Sequence, residues 1–193
     1  MGAALSAARL GAKTLIVEQF NCLGGVATNG AHNHFSLFTA WGQFDERLVG
    51  GVAEEVRRRL LQAGAATHSG GCLAFSVEGL KLLLDHPADP GMSGQAWRPE
   101  RGFWYQIPHR AMVPERVDNL LVAGRCISAD HVALGSTRIM STCMALGEAA
   151  GTAAMMSLHE EARPRELGTA LLRGQLRKQG AVVDEAGIEA LNR

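Results

Sequence analysis

The chain has no Cys-x-x-Cys pair, no long apolar run, no excess of either charge and few aromatic side chains, and each absence removes a class of function. Its four cysteines (Cys22, Cys72, Cys126, Cys143) lie far apart. That spacing suits reduced thiols better than a disulfide framework or a structural zinc site, so a cytoplasmic protein is expected. Lys plus Arg equals Asp plus Glu at 19 each, so no global field favours nucleic acid or an anionic membrane. Aromatics make up 5% of residues, and stacking platforms for bases are missing. No apolar stretch approaches the ~20 residues of a membrane span. Arg9 and Lys13 interrupt what would have to be the apolar region of a signal peptide. Met1-Gly2 with Ser6 fits the permissive N-myristoylation pattern, but the segment through Leu10 has a helical explanation. No GxSxG elbow supports a Ser-His-Asp hydrolase.

What is present is ample apolar material, 47% of 193 residues, enough for one sizeable domain or two small ones. Ala3 to Leu10 predicts a helix that stops at Gly11. Thr14-Leu15-Ile16-Val17 then predicts a parallel strand buried on both faces, ending in Glu18. Cys22 to Gly30, with Gly24-Gly25, is a loop whose glycines permit positive φ and close backbone approach. Val52, Val56, Leu60 and Leu61 recur at helical spacing, and Ser76 is placed to cap a further helix through Leu84. A Pro- and Gly-rich stretch marks a boundary near residues 85 to 102.

Beyond it, Tyr105 to Pro108 reads as a short edge strand and Leu120 to Ala123 as a second buried strand. A helix is expected from about Met140 to Leu158, with Gly147 and Gly151 one turn apart for close packing. Pro164 introduces another helix, striped by Leu167, Leu171, Leu172 and Leu176, and Asp184 caps a last short one.

Ligands of parallel α/β sheets bind beyond the carboxyl ends of the strands. Three features stand at such ends: the Glu18 carboxylate, the amides of the Cys22 to Thr28 loop, and Gly124-Arg125. A helix N-terminus near Ser141-Thr142-Cys143 follows the last of these and would favour negative charge. His32 and His34 share a face if extended and pair on paper with Cys22 or Asp45, without a third metal ligand at convincing spacing. His109-Arg110 reads as an exposed loop or an anion contact, and Cys126 and Cys143 as small core residues.

Taken together, AALSAARLGAKTLIVEQ, CLGGVATNG and the long segment GFWYQIPHRAMVPERVDNLLVAGRCISADHVALGSTRIMSTCMALGEAAGTAA resemble the FAD-dependent oxidoreductases with a glutathione-reductase-type Rossmann domain. The resemblance covers residues 2 to 62 and 102 to 181. It implies a partial Rossmann-like α/β fold: residues 1–85 form the N-terminal part of the FAD-binding domain, 86–103 a junction, and 104–193 its C-terminal part with the terminal helices. It further implies that Glu18, with Gln19 beside it, holds the adenosine ribose, and that Leu23, Gly24, Gly25 and Thr28 run beside the pyrophosphate and flavin. Gly124 and Arg125 fall near the pyrophosphate and ribityl chain. Thr142, Cys143, Met144 and Ala145 begin the helix aimed at the pyrimidine side of the flavin, and His131 and Arg138 face the substrate.

The family pattern also has a leading strand and a GxGxxG loop, of which only Gly2 and the following helix are matched here, and a long middle region that is nearly absent. The expected shape is therefore truncated and internally shortened. Without the leading strand, the Thr14 to Val17 and Leu120 to Ala123 strands are expected to pair directly or to leave an irregular gap. A partner chain or second copy covering that open edge is the corresponding expectation for assembly. The implied activity is hydride transfer between an organic substrate and FAD; the competing reading is a non-catalytic remnant or interaction protein on the same scaffold.

Overall fold

A computed structural model describes residues 1–29, 34–35, 38–40, 43–69, 72–74 and 104–193 of the chain. Its frame is helical. α1 (Gly2–Arg9) consists of alanine, leucine and small polar residues, and its chain exit at Gly11 has φ of 93°. That positive φ is the left-handed turn by which many helices terminate. α2 (Gly51–Gln62) buries Val52 and Ala53, leaves Arg58 and Arg59 exposed and pairs half-buried Glu54 with Arg57 at 2.6 Å. α3 (His131–Thr137) is capped by Asp130, whose carboxylate accepts the Ala133 N–H at 2.7 Å. α4 (Met140–His159) is the central element, α5 (Thr169–Lys178) packs on it, and α6 (Glu185–Asn192) begins at Asp184, which accepts the Gly187 N–H at 3.1 Å.

α1 and α4 approach closely because both helices present small residues to each other. A Cβ on Gly147 would lie 3.1 Å from the Ala3 nitrogen, and one on Gly151 would lie 2.8 Å from the Ala3 carbonyl carbon and overlap its oxygen. Hydrogen bonding locks the same contact: Ser6 Oγ and Thr152 Oγ1 share a buried bond at 2.8 Å, and the Gln179 side-chain oxygen, 3.1 and 3.2 Å from the two, accepts from whichever hydroxyl is not donating to the other. On the other side of α4, Leu167, Leu172 and Leu176 cover Ala153. Met112, Ile127, Leu146 and Ala150 form a second cluster, joined by half-buried Leu121 and Val122.

The described strands are short and antiparallel, which corrects the expected Rossmann-like α/β architecture. β1 (His34–Phe35) pairs β5 (Cys72–Ala74), which pairs β4 (Thr67–Ser69), while β2 (Thr39–Ala40) pairs β3 (Gln43–Arg47). No parallel ladder exists among the described residues. Residues 14 to 17 and 120 to 123 belong to no strand. Leu15 and Val17 are 86% and 88% exposed instead of buried. Val122 donates to the Met112 carbonyl at 2.9 Å, a single tie rather than a ladder.

The physical reason lies in the layers. A parallel strand is stabilised by cover on both faces, but α1 is committed to α4 and, among the described residues, Leu15 and Val17 have no such cover. Neither the anticipated direct pairing nor an irregular gap between two strands is found, because neither segment is a strand. Tyr105 to Pro108, expected as an edge strand, likewise belongs to no strand. The helix expected after Ser76 and the 86–102 junction fall outside the described residues. No helix among the described residues is long and apolar enough to cross a membrane.

Candidate functional site

Each candidate residue is best placed through the element that carries it. Glu18 closes the extended segment after α1 and is exposed. Its Oε1 accepts the N–H groups of Gln19 at 2.8 Å and Phe20 at 3.2 Å. Those bonds hold the carboxylate in its own turn while Oε2 remains an acceptor, since a carboxylate offers about four lone-pair sites.

The glycine loop has a defined shape. Gly24 and Gly25 have φ of 118° and 57°, conformations that side chains other than glycine rarely adopt, and Gly25 opens a short 3-10 turn, Gly25–Ala27. Thr28 Oγ1 donates to the Leu23 carbonyl at 2.8 Å, and the Asn29 amide donates to the Cys22 carbonyl at 3.1 Å, so the loop is closed by its own side chains. A Cβ on Gly25 would meet nothing within 4 Å; its backbone faces open space.

On the C-terminal side, Gly124 (φ 69°) and Arg125 lie in a 3-10 turn, Gly124–Cys126, packed against the start of α4. A Cβ on Gly124 would stand 3.5 Å from the Cys143 sulfur. α4 starts after Ile139 with no side-chain cap, and Cys143 donates to the Ile139 carbonyl at 2.8 Å. Thr142 thus precedes that first helical bond, whereas the Cys143 amide is already engaged; Met144 and Ala145 follow it within the helix. Gly2 sits beside the same helix start: a Cβ there would be 3.0 Å from the Met144 carbonyl oxygen. Its evident task is close packing.

Two of these groups share a foundation. Ala27 from the glycine loop and Met140 and Met144 from α4 pack against one cluster of Phe35, Phe38, Ala53 and Ala66. His131 and Arg138, by contrast, stand exposed at opposite ends of α3, roughly 10 Å apart along a helix rising 1.5 Å per residue. Cys126 is exposed and Cys143 half-buried, so neither is the core residue expected from its size. His109 is half-buried while Arg110 stays exposed, and burial lowers the His109 pKa. His32 lies outside the described residues, and no group of three metal-capable side chains occurs among those described.

Glu148 was not singled out by sequence spacing. It is 2% exposed in the middle of α4, and its Oε2 accepts the Val52 N–H at 2.8 Å, so the carboxylate caps α2 from a different helix. The room for it exists because Gly51 (φ 58°) has no side chain: a Cβ there would come within 2.6 Å of Oε1. Only the oddity of one acid among Gly and Ala in GEAAG hints at this role. Burial pushes the Glu148 pKa up, opposed by the Val52 N–H and by Arg9 of α1, while Glu55 of α2 adds to the rise.

A raised folded-state pKa means that this acid's contribution is fully present below the ordinary glutamate range and is lost as pH rises through the raised value. Urea unfolding of Glu148→Gln, which keeps the acceptor but not the charge, is expected to gain on wild type between mildly acidic and neutral pH. Glu55, whose pKa Arg9 lowers, keeps its ion pair with that guanidinium in both proteins. A wild-type protein that instead gains on the variant toward neutral pH contradicts the assignment.

The family model described as FAD dependent oxidoreductase matches residues 1–89 and 85–176. No curated protein and no solved structure matches the chain. The matched segments contain the Glu18 turn, the glycine loop, the Gly124 turn, the whole of α4 and most of α5; α6 lies beyond them. The chain belongs to the FAD dependent oxidoreductase family.

Proposed function

We propose that the chain holds FAD between its glycine loop and the start of α4 and serves hydride transfer between an organic substrate and that flavin. One observation carries this reading: the glycine loop, through Ala27, and the start of α4, through Met140 and Met144, stand on the same apolar cluster. The residues fit the cofactor in kind. Glu18 offers a free carboxylate oxygen for ribose hydroxyls, Gly25 offers an uncovered backbone, and the start of α4 offers positive dipole to an electron-rich ring edge.

FAD, when bound, supplies the two-electron chemistry; the protein supplies position and electrostatics. In this reading Glu18 and Gln19 fix the adenosine end. Leu23, Gly24, Gly25 and Thr28 line the phosphates, and Gly124 and Arg125 carry the line toward the ribityl chain. Thr142 to Ala145 face the pyrimidine edge, where the helix N-terminus favours the negative charge that reduction brings. His131 and Arg138 are assigned to the substrate side. The thiols of Cys22, Cys126 and Cys143 are free, which supports a reducing, cytoplasmic setting.

Glu18→Ala is expected to weaken FAD binding about 10- to 100-fold, the value of charge-assisted hydrogen bonds of about 1.5–3 kcal/mol. Glu160→Ala, in an exposed acid at the far end of α4, is expected to leave it unchanged. Equal affinity in both variants sinks the ribose assignment. The competing reading, a scaffold that no longer holds the cofactor, is favoured by the exposed Leu15 and Val17, and it requires that neither wild type nor variants take up FAD.

A further inference from the structure

We propose that the cavity between α1, α2 and α4 is a second ligand site, built for a small hydroxycarboxylate. The space measures about 460 Å³, in the range of small-molecule sites. Ser6 and Arg9 of α1, Glu55 and Arg58 of α2, and Glu148 of α4 line it, with Gln179 at the end of α5. None of these residues is assigned above to FAD, so the inference stands or falls without that reading.

Charge selects an anion on the α2 side. Each acid that α2 brings to the cavity is matched twice: Glu54 by Arg47 and Arg57 at 2.8 and 2.6 Å, and Glu55 by Arg9 and Arg59, both at 2.6 Å. Arg58 lines the cavity, is exposed, and has no acidic partner among the described residues. A guanidinium left over in this way grips a carboxylate through two parallel N–H groups. The interior asks for a different group. Glu148 is 2% exposed, and its Oε2 is engaged by the Val52 N–H at 2.8 Å, which leaves the lone pairs of Oε1 to offer. A second oxyanion would be repelled there, whereas a hydroxyl donates to it. The Gln179 amide nitrogen is buried without a partner in the same wall, a costly state that an incoming acceptor relieves. A hydroxyl meets both demands, because it carries one O–H donor and two acceptor lone pairs. The matching ligand therefore presents a carboxylate to Arg58 and a hydroxyl to Glu148 and Gln179.

The test is titration of the intact chain, first without FAD, with racemic lactate and with two analogues that each lack one group, followed by ligand-observed NMR. Propionate lacks the hydroxyl and propylene glycol lacks the carboxylate. Lactate is expected to bind saturably, and each analogue about 10- to 100-fold more weakly, the value of a hydrogen bond to a charged group. Arg58→Ala, a change in an exposed side chain, should weaken lactate binding by at least about 10-fold. Glu148→Gln, which keeps the shape of the side chain, should narrow the preference for lactate over propionate. Circular dichroism checks that both variants keep their helices. Absence of saturable lactate binding, propionate bound as tightly as lactate, unchanged lactate affinity in a folded Arg58→Ala, or displacement of lactate by added FAD overturns the proposal.

Discussion

Gly151→Val is expected to cost at least about 3 kcal/mol, a large part of the roughly 5–15 kcal/mol that holds a domain together, and to leave little cooperative unfolding transition. The obstacle is backbone, not a movable side chain: the new Cβ would overlap the Ala3 carbonyl oxygen and lie 2.8 Å from both its carbon and Cα. α1 would have to lift from α4, and the buried Ser6, Thr152 and Gln179 hydrogen bonds would part with it. Gly135→Ala provides the contrast, since that glycine lies in α3 with nothing within 4 Å of its Cβ position. It should be neutral or stabilising by about 0.5–1 kcal/mol because helical glycine is entropically costly. Urea denaturation of the two variants beside wild type measures the difference; a Gly151→Val protein as stable as wild type contradicts the packing described.

Phe38→Ala is expected to be comparably severe, about 3–5 kcal/mol. Phe38 is fully buried, with no exposed surface, in the cluster on which Ala27, Met140 and Met144 rest. Its removal would therefore loosen the glycine loop and the start of α4 together. A milder loss is expected for Phe38→Leu, which keeps most of the volume. Where the leucine variant still folds, its FAD affinity should fall further than that of an equally destabilised variant at Leu172, buried against Ala153 in a different cluster. Equal affinities in that comparison would separate the foundation from the site.

The contrast between helices and strands explains how much of this was legible in the residues. α2, α4 and α6 announce themselves through apolar periodicity, small-residue spacing and the Asp184 cap, all written within a few positions of each other. The apolar triplet Leu15-Ile16-Val17 carries the local pattern of a buried strand, but burial needs a layer above it, and no local residue encodes whether that layer exists. β1 and β2, two residues each, are too short to display an alternation. Their pairing depends on partners brought near by the surrounding fold.

The site divides in the same way. The turn at Gly24-Gly25 was readable because positive φ selects glycine, and both residues have it; the positive φ of Gly124 was not anticipated. Glu148 was not, because the group that its carboxylate caps, the Val52 N–H, is 96 positions away. Cys126 illustrates the opposite error. Small and weakly polar, it reads as core, yet a single-turn segment at the surface exposes it. His131 and Arg138 were joined by their nearness in sequence, and the intervening helix α3 holds them at its two ends.

The central claim is that the glycine loop and the start of α4 form one flavin site. Titration of the purified chain with FAD, followed by the visible absorbance of the flavin after removal of unbound cofactor, tests it most directly. Saturation at one FAD per chain is expected, with binding weakened in Glu18→Ala. A colourless protein that takes up no FAD at any concentration would contradict it.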